Sequence, residues 1–211
     1  MFEGMIGNMI GHVKIRDKNS DVVYVDKFNK IHFGNMSWAV SSALSGKSEG
    51  TIAYMLFGNG GSTVDGSGKI LYRAPNVSNL QDPTALPYNT TFYKALSTFV
   101  DGVTTTDYIR VIDSNENFSD LQVVVSLGFG EPVGQPVDDT TQNISDDFVF
   151  DEIALFTQTS LPLTPFVDPS TLQSELPGGG RMVTHVVFHP QQKAENRELE
   201  IEYTIRVQMG P

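Results

Sequence analysis

The stretch RELEIEYTIRVQM, Arg197 to Met209, decides the fold class. Leu199, Ile201, Tyr203, Ile205 and Val207 fall on one side of an extended chain, and Glu198, Glu200, Glu202, Thr204 and Arg206 on the other. Wound into a helix, the same residues would scatter around the axis. Period-two alternation sustained from 198 to 207 predicts a strand packed on one face and solvated on the other, as in an antiparallel sheet. Just upstream, MVTHVVFHP (182–190) is rich in β-branched and aromatic residues. With QQKAEN between them, the two segments read as an antiparallel pair.

Working back along the chain extends the pattern. HVKIRDKNSDVVYVDKFNKIHF (12–33) reads as two strands joined by the polar turn DKNSD. TIAYMLFG (51–58) reads as a strand buried on both faces, and DYIRVID, DLQVVVSLGFG and DFVFDEIALFT supply three more. YNTTFYKALSTFV (88–100) fits either a helical face through Phe92, Leu96 and Phe99 or a strand, and PNVSNLQDPTALP (75–87) is turn-rich and irregular. One helix stands out, NMSWAVSSALSG (35–46). Asn35 is its expected N-cap, Met36, Ala39, Val40, Ala43 and Leu44 form its apolar face, Trp38 falls off that face, and Gly46 ends it. No fixed-period repeat is present. The expectation is a single mainly β domain over 1–211, an antiparallel β-sandwich or open barrel with one short covering helix. Its two long Pro-containing loops, at about 131–147 and 160–181, are expected to serve subunit contacts.

Composition narrows the function classes. The formal net charge is −11, and between Pro75 and Leu176 fifteen Asp and Glu face two basic residues, Lys94 and Arg110. An acidic surface of this kind repels the phosphate backbone, which argues against sequence-specific nucleic-acid binding. There is no cysteine, hence no disulfide, thiolate metal site or thiol nucleophile. No run of eighteen apolar residues predicts a membrane-spanning helix, and MFEGMIGNMIGHVKIRD lacks the basic and apolar blocks of a secretory leader.

The motifs that invite an enzymatic reading fail on spacing. In YMLFGNGGSTVDGSGKI (54–70) the Gly68-Lys69 pair is preceded by Thr63 where a P-loop needs glycine, and followed by Ile70 where it needs Ser or Thr. Gly58 and Gly60 are followed by Thr63 where a dinucleotide motif needs a third small residue. DGSG lacks the spaced oxygen ligands of a calcium loop. Gly58, Gly60, Gly61, Gly66 and Gly68 therefore read as a flexible turn between strands, with Lys69 on the surface. His185 and His189 lie four apart, which on a strand is about 13 Å at ~3.3 Å per residue, too far for one zinc ion. Both are expected to flank Val187 on a half-exposed face, and His12 and His32 lie in no catalytic motif. Asp151 and Glu152, as strand neighbours, should point to opposite faces and cannot form a glycosidase pair. Asp138, Asp139, Asp146 and Asp147 lie in a loop, a poor platform for acid–base work. No catalytic, cofactor-binding or metal-ligating residue is assigned.

The order of elements is informative where the motifs are not. A strand pair leads through NMSWAVSSALSG to TIAYMLFGNGGST, and later come DEIALFT and THVVFHP with ELEIEYTIRVQM. This arrangement resembles the virion structural proteins of tailed bacteriophages, of neck, collar, tail or baseplate type. The resemblance implies a non-enzymatic assembly protein, made in the host cytoplasm and located in the virion. Its partners would be other copies of itself and neighbouring virion proteins, with no membrane, small-molecule substrate or cofactor. The alternative from the same loops and aromatics is a receptor- or glycan-binding module on a β-sandwich.

Overall fold

The computed structural model describes residues 6–79, 82–103, 106–114, 116–132, 148–158, 180–194 and 196–210. Within them the chain is mainly β, with two principal sheets, antiparallel but for one short parallel edge pair, and one α-helix. The expected loops 131–147 and 160–181 lie outside the described residues apart from Glu131, Pro132, Gly180 and Arg181.

The alternating C-terminal segment forms β13 (Leu199–Gly210) and sits inside a six-stranded sheet. It is flanked by β1 (Ile6–Asp17) on one side and β10 (Phe118–Leu127) on the other. Its apolar side becomes core, with Leu199, Ile201, Tyr203 and Ile205 all buried. Val13 and Ile15 of β1 and Val123, Val125 and Leu127 of β10 complete that inner face. Each such side chain contributes about 1.5–3 kcal/mol on burial. The opposite face is polar and bonded across strands. Arg206 makes a two-point contact with Asp120 at 2.9 Å on each arm, and Gln122 joins Arg110 to Glu202. The sheet continues from β1 to β2 (Val23–Phe28), and from β10 through β9 (Tyr108–Asp113) to β8 (Ser97–Thr98). The expected turn after β1 is present, with the Asp17 carboxylate accepting the amides of Asn19 and Ser20.

The second sheet has five strands in the order β3 (Lys30–Ile31), β12 (Met182–Lys193), β11 (Phe148–Thr157), β4 (Ile52–Gly58) and β7 (Thr90–Ala95). The ambiguous segment after Tyr88 is thus a strand. One face of this sheet gives Met55, Phe57, Phe148, Phe150, Ile153 and Leu155 to the core shared with the first sheet. The other face is covered as well: Leu56, Ala154, Phe156 and Met182 pack with Ala85, Val77 and Leu86 from the irregular 75–87 segment. Coverage on both sides is why β4 and β11 read as near-continuous apolar runs.

Two expectations are corrected here. β12 and β13 do not form a hairpin. β12 pairs with β11 and β3, whereas β13 pairs with β1 and β10, so the two strands lie in different sheets. The physical reason is burial: β12 is buried on both faces from Met182 to Phe188, whereas β13 has one solvated face, so the two belong in different layers. The helix α1 (Phe33–Leu44) is capped by His32, whose Nδ1 accepts the Asn35 amide, and not by Asn35. Asn35 instead lies inside the first turn and donates its side-chain amide to the Met182 carbonyl. That anchor turns the buried face toward Asn35, Met36, Ala39 and Ser42, leaving Leu44 exposed. Trp38 is partly buried against the core beneath the Arg181 guanidinium, 4.0 Å from its ring.

A fully buried side-chain hydrogen bond crosses the core between the layers. The Tyr203 hydroxyl of the first sheet donates to Thr184 Oγ1 of the second at 2.7 Å and accepts from the Asn29 side-chain amide. Tyr203→Phe keeps the packing but leaves the buried Asn29 side-chain amide without its acceptor, while Thr184 Oγ1 keeps the Leu155 amide, and should lower unfolding stability by about 1–3 kcal/mol in chemical denaturation. A loss no larger than that of an exposed control such as Tyr72→Phe would show that the bridge does not join the sheets.

Candidate functional site

The densest buried polar cluster lies where β4, β11 and β12 meet the glycine turn after β4. Glu152 and His185 are both completely buried. The β11–β12 register shifts between Phe150 and Glu152 at a bulge in which Asp151 alone faces three residues of β12, Phe188 to Pro190. Strict alternation therefore breaks at this point, and the adjacent carboxylates of Asp151 and Glu152 reach the same glycine turn. The expectation that they diverge to opposite faces is corrected by the bulge.

Glu152 accepts four hydrogen bonds. Its Oε1 takes the amides of Gly60 at 3.1 Å and Asn89 at 2.8 Å, and its Oε2 takes the amide of Tyr88 at 2.9 Å and His185 Nε2 at 2.9 Å. Asp151 takes the Gly61 amide at 2.8 Å and the Ser62 hydroxyl at 2.5 Å. His185 Nδ1 accepts the Asn76 amide at 2.8 Å, which leaves Nε2 as the protonated nitrogen donating to Glu152. His185 is therefore buried, not on a half-exposed face, while His189 is exposed and bonded to the Tyr72 hydroxyl. His32 is a second buried anchor, capping α1 with Nδ1 and bonding the Asn79 carbonyl with Nε2 at 3.0 Å.

The two carboxylates respond oppositely to this setting. Burial pushes Glu152 up, but the bonds from His185, Asn89 and Tyr88 outweigh it and hold the carboxyl below its ordinary range. For Asp151 burial dominates and the neighbouring Glu152 charge adds to it, so its carboxyl is raised despite the Ser62 and Gly61 bonds.

Such a pair resembles an acid–base dyad by residue type, but its geometry does other work. A general base needs a free nitrogen within reach of a substrate proton. His185 Nδ1 is occupied by Asn76, Nε2 by Glu152, and the ring has no exposed surface. The arrangement fixes chain segments: residues 60–62, 76 and 88–89 all hang from two adjacent strands. The glycines follow from this closeness. A Cβ on Gly60 would lie 2.8 Å from the Asn89 nitrogen, one on Gly58 2.5 Å from Glu152 Oε1, and one on Gly61 2.9 Å from a Val187 methyl. The base of the expected flexible turn is thus pinned. Only its tip behaves as a turn, in the hairpin of β5 (Ser62–Val64) and β6 (Ile70–Tyr72), where Gly68 has φ +83° and Asp65 accepts the Ser67 and Lys69 amides. Among the described residues no cluster of three or more metal-ligating side chains occurs.

Sequence spacing could not find this cluster, because Glu152 and His185 are brought together by strand pairing across 33 positions. The run of glycines in 58–61 was its one visible trace.

Glu152→Gln keeps the volume but replaces charge-assisted hydrogen bonds by weaker ones, and should cost about 1.5–3 kcal/mol near neutral pH. Because the folded Glu152 carboxyl lies below its unfolded value, its contribution is full above the unfolded carboxylate range and drains as pH falls through the folded value. The gap between wild type and Glu152→Gln should therefore narrow in acid denaturation series below about pH 4. Asp151 has the opposite sign: its raised carboxyl favours the fold at low pH and loses that contribution as pH rises through the folded value. Asp151→Asn should accordingly cost less than Glu152→Gln at neutral pH, and equal costs with no pH dependence would contradict the clamp. Compared with known proteins, the chain matches no family model, no curated protein and no solved structure.

Proposed function

We propose that the protein is a non-enzymatic structural component of a tailed-bacteriophage virion, of neck, collar, tail or baseplate type. It acts through contacts with copies of itself and with neighbouring virion proteins. Support comes from the order of elements read in the sequence and from how the described residues divide their chemistry. Buried charges are spent inside the fold, on the loops that Glu152 and Asp151 hold. Large apolar side chains, in contrast, stand at the borders of the sheets: Phe28 is 69 % exposed, Phe33 55 % and Val111 69 %. Exposed apolar groups beside sheet edges are the usual material of protein–protein contacts. This last observation carries the proposal. An acidic surface keeps such a chain soluble until copies meet and gives it no affinity for duplex phosphates.

Two measurements test it: peptide mass spectrometry of intact particles made from the genome that encodes the chain, and native mass spectrometry of the purified protein. The expected outcome is a particle component present in many copies, and a self-associating chain in isolation. A strictly monomeric protein absent from particles contradicts the proposal, and a monomer that binds a glycan array would favour the receptor-binding alternative.

A further inference from the structure

The six-stranded sheet narrows to four strands at one end, and both flanks of that end are open among the described residues. The register aligns Ile10 of β1, Arg206 of β13, Asp120 of β10 and Ile112 of β9 in one row. The next row is Gly11, Ile205, Leu121 and Val111. On one flank β2 begins its pairing only at His12, opposite Phe28, and Asn29 then donates its amide to the Gly11 carbonyl before the chain leaves for the second sheet. Backbone groups alternate along a strand, so Met9 and Gly7 direct theirs to the same side as Gly11 does, where no described strand pairs with them and only β3 comes near. On the other flank β8 pairs no further than Ile109, whose carbonyl accepts the Phe99 amide. By the same alternation Val111 directs its amide and carbonyl outward.

We infer that these flanks are two halves of one joint, with the open half of β1 in one copy pairing with the open end of β9 in the next. Three observations select this occupant. The four strands at this level are successively antiparallel, so a following copy in the same orientation lays its β1 antiparallel to β9 and the alternation continues unbroken. Second, the flanks differ in charge: Lys30 is exposed beside β1's open half, where Asp26 is taken up by His12, while the exposed Asp113 ends β9 itself. Pairing like with like would oppose equal charges, and a β1-to-β1 dimer would leave both β9 edges uncovered. Third, exposed apolar side chains stand at both flanks, Ile10 and Phe28 on one and Val111 and Ile112 on the other. Around Ile10 and Phe28 lies an open concavity of about 270 Å³, also lined by Met9 and Phe33, that can receive a side chain from the neighbour. A joint of this head-to-tail kind repeats, giving a ring where its rotation closes and a filament where it does not. The inference rests on the assembly proposal for the expectation that copies meet, and adds which edges meet.

The absence of cysteine makes disulfide trapping specific. The full chain carrying Ile10→Cys and the full chain carrying Ile112→Cys, which share one face of the sheet, are oxidised separately and as an equimolar mixture. Cross-linked dimer is expected in the mixture and from neither variant alone, and the double variant should give a ladder of higher oligomers. As a check independent of cross-linking, Met9→Pro removes one outward amide while leaving the β13 ladder in place. It should reduce self-association at least tenfold with an unchanged circular dichroism spectrum. Cross-linking of Ile10→Cys with itself overturns the head-to-tail joint in favour of a two-fold dimer. Assembly that persists in Met9→Pro, with no cross-link in the mixture, overturns the inference and leaves the virion proposal standing. A monomer under all conditions removes the inference whether or not the chain occurs in particles.

Discussion

A single buried carboxylate organises the most irregular part of this molecule. Glu152 sits on a strand covered on both faces, where an unpartnered charge would be prohibitively costly. It is tolerated because four donors converge on it, three of them main-chain amides from segments with no regular structure of their own. The dependence is mutual. Residues 60, 88 and 89 satisfy their amides through Glu152, and Glu152 stays ionised through them. His185 extends the hold to residue 76 through its second nitrogen, and His32 holds residue 79. The 75–87 segment, pinned in this way, covers Leu56, Ala154, Phe156 and Met182. Without that cover the outer face of the second sheet would be an exposed apolar surface.

The same logic explains the division between the two sheets. The first sheet faces water on one side and carries its polar groups there, in cross-strand pairs such as Arg206 with Asp120. The second has no solvated face at its centre, so its polar side chains can persist only as a closed network. Tyr203, Thr184 and Asn29 form a smaller network between the layers, in which Asn29 Oδ1 stays buried without a partner. Polar groups in the interior thus fix which segment lies over which strand, while the apolar residues supply most of the driving force.

How much of this was legible in the sequence follows from the range of each interaction. Alternation in β13 is a local property, and it announced both the strand and its buried face. The strand pair of β1 and β2 was legible because its turn is short and polar, and the double burial of β4 showed as an unbroken apolar run. The partners of β12 and β13 were not legible, since sheet membership depends on what covers each face, and adjacency along the chain suggests a hairpin. The helix face was misplaced because Asn35, polar and unpromising as core, is held inward by a carbonyl 147 residues away. The Glu152 cluster was hidden twice. A bulge broke the period on which the orientation of Asp151 and Glu152 was judged, and the partners of Glu152 are backbone amides, which no side-chain pattern reveals. The spacing of Gly58, Gly60 and Gly61 carried the signal, misread as conformational freedom where it meant absence of room.

The central claim is that Glu152 and His185 hold loops closed, with both carboxylate oxygens and both ring nitrogens taken up by that task. Residue-resolved amide hydrogen exchange tests it most directly, because the donors in question are the amides of Gly60, Asn76, Tyr88 and Asn89. The account predicts that these four, although they lie outside every strand, exchange as slowly as core amides of β11, and that Glu152→Gln speeds all four together. Rapid exchange of these amides in the wild-type protein, with only the strands protected, would contradict it.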